Sequence, residues 1–371
     1  MSWKKHTRGR WHCSPAAVLL LAASSAVWQP AAATASPVWQ AGVERDIYAW
    51  AGPMAVAGLV DNWSGTLEQD DDGLLWFQDA VTLGYGPLQL QYLYRHHAEY
   101  EMSNQLAQGF YYEANDIELA SNYSVTDTVR ARHYEGEGLS LGWQLGAGRS
   151  WQLRPSVTWL RLYRLLWGSV SGTLNYTDAD NWGGDLEVDY AYTEDKIPPA
   201  RQLDQRSYGD LYSLDLTFDW QWQGYQMHYQ GWNLLARIDW QDTPVTIGTK
   251  NWQFVDGEIT ANGDFPVYQR EGEVFRTMRP PRFQRLQQTL ALSETWDLTL
   301  LSTFNGIRNG HELGLAWQAG SVIWKAAVDV EHPALRLGLQ HRWGKLSVLS
   351  DSLNINDSQL VALQGALSLR F

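Results

Sequence analysis

The stretch Leu211–Trp222, LYSLDLTFDWQW, alternates with period two. Tyr212, Leu214, Leu216, Phe218, Trp220 and Trp222 share one parity, while Ser213, Asp215, Thr217, Asp219 and Gln221 share the other. Successive side chains of a strand point to opposite faces, so this segment has an apolar face ending in two tryptophans and an acidic face behind it. The three-to-four-residue spacing of an amphipathic helix is absent here and along the rest of the chain.

The same pattern continues on both sides. Trp296, Leu298 and Leu300 share a face, as do Leu313, Leu315 and Trp317. Val322, Trp324, Ala326, Val328 and Val330 oppose Lys325 and Asp329. Leu335, Leu337, Leu339 and Trp343 oppose Arg336, Gln340 and Arg342. Short turn formers separate these runs. Upstream, Leu186, Val188, Tyr190 and Tyr192 oppose Asp185, Glu187 and Asp189. Trp232, Leu234, Ala236, Ile238 and Trp240 oppose Asn233, Arg237 and Asp239. The reading is a single all-β domain over 36–371. Two long polar stretches, Thr193–Asp210 and roughly Asp256–Arg282, read as surface loops. The segment 36–73 is irregular and is expected to be an edge strand or a plug.

The N-terminus has a different character. Lys4, Lys5, Arg8 and Arg10 precede the apolar run Pro15–Val27, and Ala33 and Ala35 offer a small-residue cleavage site before Ser36. That is the pattern of a secretory signal peptide, 1–35. The single cysteine, Cys13, leaves with it, so the exported body does not depend on disulfides. Removing those four basic residues leaves 24 of the 28 against 41 acidic ones, a net charge of −17. This balance argues against nucleic-acid partners. No segment approaches the roughly 20 apolar residues of a spanning helix, whereas a barrel strand needs only about 9–11 alternating residues.

Alternation alone also fits a soluble sandwich. Three features favour a barrel. Aromatics gather at strand ends (Trp220, Trp222, Trp240, Trp296, Trp317, Trp324 and Trp343), where a girdle at the lipid–water boundary would put them. The opposite parity is charged in mid-strand. The chain ends LVALQGALSLRF, with Phe371, Leu369, Leu367, Leu363 and Val361 on one parity. This tail resembles the C-terminal strand of bacterial outer-membrane β-barrels, a class whose terminal aromatic strand is read by the barrel-assembly machinery. The resemblance implies a closed antiparallel transmembrane β-barrel of about 14–16 strands in the outer membrane of a Gram-negative bacterium. Its implied partners are outer-membrane lipid and that machinery, with Leu367, Leu369 and Phe371 as the assembly signal. Counting hairpins back from Phe371 places Thr193–Asp210 on the short-turn side, a conflict that leaves either an unusual loop or, the favoured reading, one miscounted strand between Asp239 and Arg282.

The residues expected to line the lumen are Asp185, Glu187, Asp189, Asp215, Asp219, Arg237, Asp239, Lys325, Arg336 and Arg342. Acidic and basic sectors across a water-filled passage would orient polar solutes, so the first functional expectation is a passive, porin-like channel. The alternative is a non-conducting barrel, filled by salt bridges, that docks a periplasmic or surface protein. Catalysis ranks last. His97 and Glu99 share a parity beside Arg95, but no catalytic motif is recognisable, and no cofactor or metal is expected. Glu68–Gly73, EQDDDG, lacks the ligand spacing of a calcium loop and reads as an acidic turn. The apolar Met54–Val60 is a candidate plug, while His228 and His341 are read as lumen or rim residues.

Overall fold

The computed structural model describes residues 38–56, 66–67, 72–115, 117–118, 122–178, 181–193, 207–255, 258–262 and 275–371. The signal-peptide reading, most of the acidic turn and both loop interiors lie outside these residues. The elements are β1 (Trp39–Ala51), β2 (Asp72–Tyr85), β3 (Leu88–Glu101), α1 (Asn104–Ala114), β4 (Tyr123–Trp143), β5 (Trp151–Asp178), β6 (Asn181–Tyr192), β7 (Tyr208–Trp222), β8 (Tyr225–Gln241) and β9 (Val245–Val255). They continue with β10 (Glu258–Asn262), β11 (Arg276–Met278), β12 (Phe283–Ala291), β13 (Trp296–Phe304), β14 (Asn309–Ala319), β15 (Val322–Asp329), β16 (Leu335–His341), β17 (Gly344–Ser350) and β18 (Leu360–Arg370).

Fourteen strands close into an antiparallel ring in the order β1-β2-β3-β4-β5-β7-β8-β12-β13-β14-β15-β16-β17-β18, and β18 returns to β1. Closure removes the unpaired edges that lipid could not satisfy. The closing seam runs from Gln40↔Arg370 to Trp50↔Leu360, and β1 pairs along its whole length with β2 on its other side. The segment expected to be irregular therefore supplies a full ring strand. Alternation in VERDIYAWA is masked because its inward parity carries Tyr48 and Trp50 as well as Asp46.

One end of the ring is built from tight turns. Gly86, Gln223 and Gly320 sit at positive φ there, the conformation that two-residue hairpin turns require. Trp39 and Phe371 lie at this turn end, where the Phe371 N–H donates to the Trp39 carbonyl. The opposite, loop end is tall on one side. The first half of β5 pairs with β7 and its second half with β6, which in turn pairs with β9. This sheet, with β10, stands outside the ring. The hairpin count is resolved by β12, just past Arg282: with it, nine ring strands lie between Phe371 and Tyr208, so Thr193 and Tyr208 both lie on the loop side, while β6, β9 and β10 add no crossings.

The outer face carries the apolar belt, with Val81, Leu83, Leu90, Leu141, Val157, Leu235, Leu315, Leu337, Val348 and Leu369 all exposed. On β5, ten residues separate Trp151 from Arg161, the first outward charge. At ~3.3 Å per residue and a tilt of about 40°, that is a belt of roughly 25 Å, the height of a bilayer's hydrocarbon. Beyond it the pattern inverts. Leu160, Leu162, Leu211, Ile238 and Trp240 are fully buried inside, while Arg161, Asp210, Arg237 and Asp239 face out. Where the strands leave lipid for water, the polar parity turns outward and the apolar parity fills the interior.

Candidate functional site

The interior is crossed by a continuous aromatic and ionic layer. Trp76 on β2 stacks on Phe283 at the start of β12, with ring centroids 4.7 Å apart and planes at 1°. Trp232 closes against both at 5.6 Å, and Tyr48 meets Phe283 edge-on. The Arg95 guanidinium lies over Trp76 and the Arg285 guanidinium over Phe283, at 5.1 and 5.0 Å. Arg285 is paired with Asp46 of β1, which stands seven strands away around the ring in either direction. This salt bridge joins diametrically opposed strands across the interior.

Arg95 is satisfied on several sides. It donates to Gln78, to Asn233 at 2.9 Å and to Asp215 at 3.1 Å. Asn233 adopts φ +57°, inside a bulge where three β8 residues (232–234) face one β7 residue, Asp215. That conformation is tolerated best by Asn and Gly. It turns the Asn233 amide inward, where it also donates to Tyr134 and to the Pro281 carbonyl. On the opposite wall, Arg336 grips Glu312 through two nitrogens, and Arg308 reaches Asp329 while lying 4.3 Å over Trp50. Buried charges need such partners, and here nearly every one has them.

The expected lumen residues divide into several groups. Asp215 and Arg336 are buried members of the layer. Asp219 faces the lumen nearer the turn end and bonds His228 Nδ1 at 2.6 Å; Lys325 shares that inward parity. Six others, and the girdle residue Trp240, require correction. Arg237 and Asp239 face outward and pair with each other, because β8 has left the bilayer at that height. Arg342 sits in the β16–β17 turn, 4.3 Å over Trp343 and outside the lumen. Trp240 is fully buried inside, its ring over Gly209, and belongs to no girdle. Asp185, Glu187 and Asp189 lie exposed on β6, beyond the ring.

The other six girdle tryptophans lie at the turn end, with Trp296, Trp317 and Trp324 on consecutive paired strands. Trp39, Tyr85 and Trp143 extend that belt. His97 and Glu99 are buried together, Nε2 to Oε2 3.4 Å, and Glu99 is also held by Arg132. His341 packs edge-on to Trp343 at the turn end. Met54 is fully buried at the loop end; residues 57–60 of the expected plug lie outside the described residues.

Two features carried no signal in parity. One is a cavity of about 780 Å³ above the layer, lined by Arg132, Arg276, Arg279 and Arg282 together with Trp167 and Phe304. The other is a charged island on the lipid-facing side. Arg45 forks onto Asp79 at 2.6 and 2.7 Å, six residues above Trp39. That is about 15 Å, well inside the hydrocarbon span. Beside it, Tyr94, Tyr163 and Arg164 converge on Glu135.

No family model and no curated protein matches the chain. Among solved structures it is similar to the translocator domain of the autotransporter NalP from Neisseria meningitidis, at 8% identity over 91% of this chain and 88% of that one, TM-score 0.28. It is also similar to the siderophore receptor PirA from Pseudomonas aeruginosa, at 7% identity over 91% and 81%, TM-score 0.22. The ferric yersiniabactin uptake receptor FyuA from Yersinia pestis matches at 10% identity over 87% and 58%, TM-score 0.18. With its closed ring and apolar belt, the chain has the architecture of an outer-membrane barrel.

Proposed function

We propose that this protein is an outer-membrane barrel with a closed lumen, which holds a ligand or protein partner at its loop end and does not pass solutes. The observation that supports this reading is the cross-lumen layer, in which Trp76, Phe283 and Arg95 are fully buried and Asp46 and Arg285 join opposite walls. A water-filled pore would leave such side chains hydrated. The sheet of β5, β6 and β9 standing beyond the ring provides the surface on which a partner would rest.

A second reading, passive passage, is favoured by one feature: the lumen on the turn side of the layer is lined by half-exposed charges, Glu44 with Lys345 and Asp219 with His228. Swelling of proteoliposomes in isotonic arabinose separates the two. The wild type should not swell, and Trp76→Ala/Phe283→Ala, which removes the stack, should. Wild-type swelling at the rate of an open porin would overturn the closed-lumen reading.

A further inference from the structure

We infer that the loop-end cavity binds a phosphate-type oxyanion. The chain is acidic, with a formal net charge of −13, yet four guanidinium groups line this one cavity of about 780 Å³. They come from two places: Arg132 from β4, and Arg276, Arg279 and Arg282 from one seven-residue stretch that spans β11 and the connector into β12. Like charges brought together repel, so such convergence raises the free energy of the empty site and favours an anion that relieves it.

The four do not behave alike. Arg132 is anchored by Glu99 and Glu101, and Arg276 by Asp189. Arg279 and Arg282 have no acidic partner among the described residues. Two anchored forks beside two uncommitted ones make a fixed frame with free donors. The planar guanidinium fork matches phosphate oxygens in pairs, which a lysine ammonium does not. Trp167 and Phe304 add two partly buried apolar walls beside these charges.

The source of the oxyanion is either a free phosphorylated solute or a lipid headgroup, because the cavity reaches the outer rim. Gln284 lines it and accepts a hydrogen bond from Tyr229, whose ring is on the outer face and feels the charge of Arg282. The inference rests on the closed-lumen reading only in that the layer floors the cavity. The swelling assay tests the layer, and the following experiment tests the cavity, so the two can fail separately.

Full-length refolded protein in neutral micelles is titrated calorimetrically with sodium pyrophosphate at low salt, and a parallel sample is placed in nanodiscs of mixed phosphatidic acid and phosphatidylcholine. Saturable pyrophosphate binding that falls at least tenfold in Arg279→Gln/Arg282→Gln supports the site with a free solute as source. Selective retention of phosphatidic acid, lost in the same variant, supports the headgroup as source. The control, Arg149→Gln/Arg342→Gln, removes two charges at the turn end and should change neither result. Absence of both signals in the wild type, or equal loss in the control, overturns the inference. Heat-modifiable gel mobility establishes that each variant is folded.

Discussion

Replacing Asp46 by Asn tests the physics of the filled lumen directly. The side chains of Asp46 and Arg285 are each 4% exposed, so the pair is almost dry. The substitution keeps the shape of residue 46 but strands a guanidinium between Phe283 and Trp232, at 5.0 and 5.8 Å from their centroids. Breaking a buried pair by removing one partner costs about 3–5 kcal/mol. In this pair Asp46 Oδ1 and Arg285 Nη2 make no hydrogen bond, so the pair is incompletely satisfied and the loss belongs near the lower end, about 3 kcal/mol. That corresponds to a roughly hundredfold shift in the unfolding equilibrium. The double variant Asp46→Leu/Arg285→Met replaces both charges with apolar groups and should recover most of the loss, since well-packed apolar replacements of buried pairs are often neutral. Equilibrium unfolding in guanidinium chloride, followed by tryptophan emission at fixed lipid concentration, reads all three. If Asp46→Asn lies within about 1 kcal/mol of wild type, the pair is hydrated and the lumen is not filled as described.

On the lipid face, Asp79→Asn leaves Arg45 without its bidentate partner and should destabilise the barrel by about 2–4 kcal/mol in the same unfolding assay; Arg45→Leu/Asp79→Leu should restore it. Gly209→Ala puts a methyl 2.3 Å from the Trp240 ring, so it should cost about 1–3 kcal/mol and shift the near-ultraviolet circular dichroism of that tryptophan. Asp127 lies beyond the ring, where its Oδ2 accepts the Ser103 N–H at 2.6 Å at the start of α1, while the Ser103 hydroxyl caps the Leu106 N–H. Burial raises the Asp127 pKa, but the hydrogen bonds from Ser103 and Thr128 outweigh it and hold the carboxyl below its ordinary value. Its contribution is thus present above the usual aspartate range and disappears as the pH falls through the lowered pKa. Asp127→Asn should speed amide exchange across 104–114 by about fivefold at neutral pH, the effect of a lost capping interaction of about 1 kcal/mol.

The fold was legible where lipid and water each see one face of a strand, as in Tyr212–Trp222 and Val361–Phe371. It was misread where that geometry changes along a strand. On β8 the apolar residues pass from the outward parity of Tyr225, Met227 and Tyr229 to the inward parity of Trp232, Ile238 and Trp240, because Trp232 joins the interior layer at a level where Leu235 still faces lipid, below the exit at Arg237 and Asp239. Taken from Trp232 onward, the same letters suggest an apolar exterior and put Arg237 and Asp239 inside. The acids of β6 alternate as well as any ring strand, because a two-sided sheet in water obeys the same period as a barrel wall. The cavity was not legible. Three of its arginines, Arg276, Arg279 and Arg282, stand within seven residues of sequence, and what the sequence does not show is that Arg132 of β4 joins them.

The most direct test of the closed lumen is single-channel recording from mature protein in planar bilayers at high salt. The account predicts a silent membrane for wild type and stepwise conductance for Trp76→Ala/Phe283→Ala. Stable, ohmic openings from the wild-type barrel would contradict it.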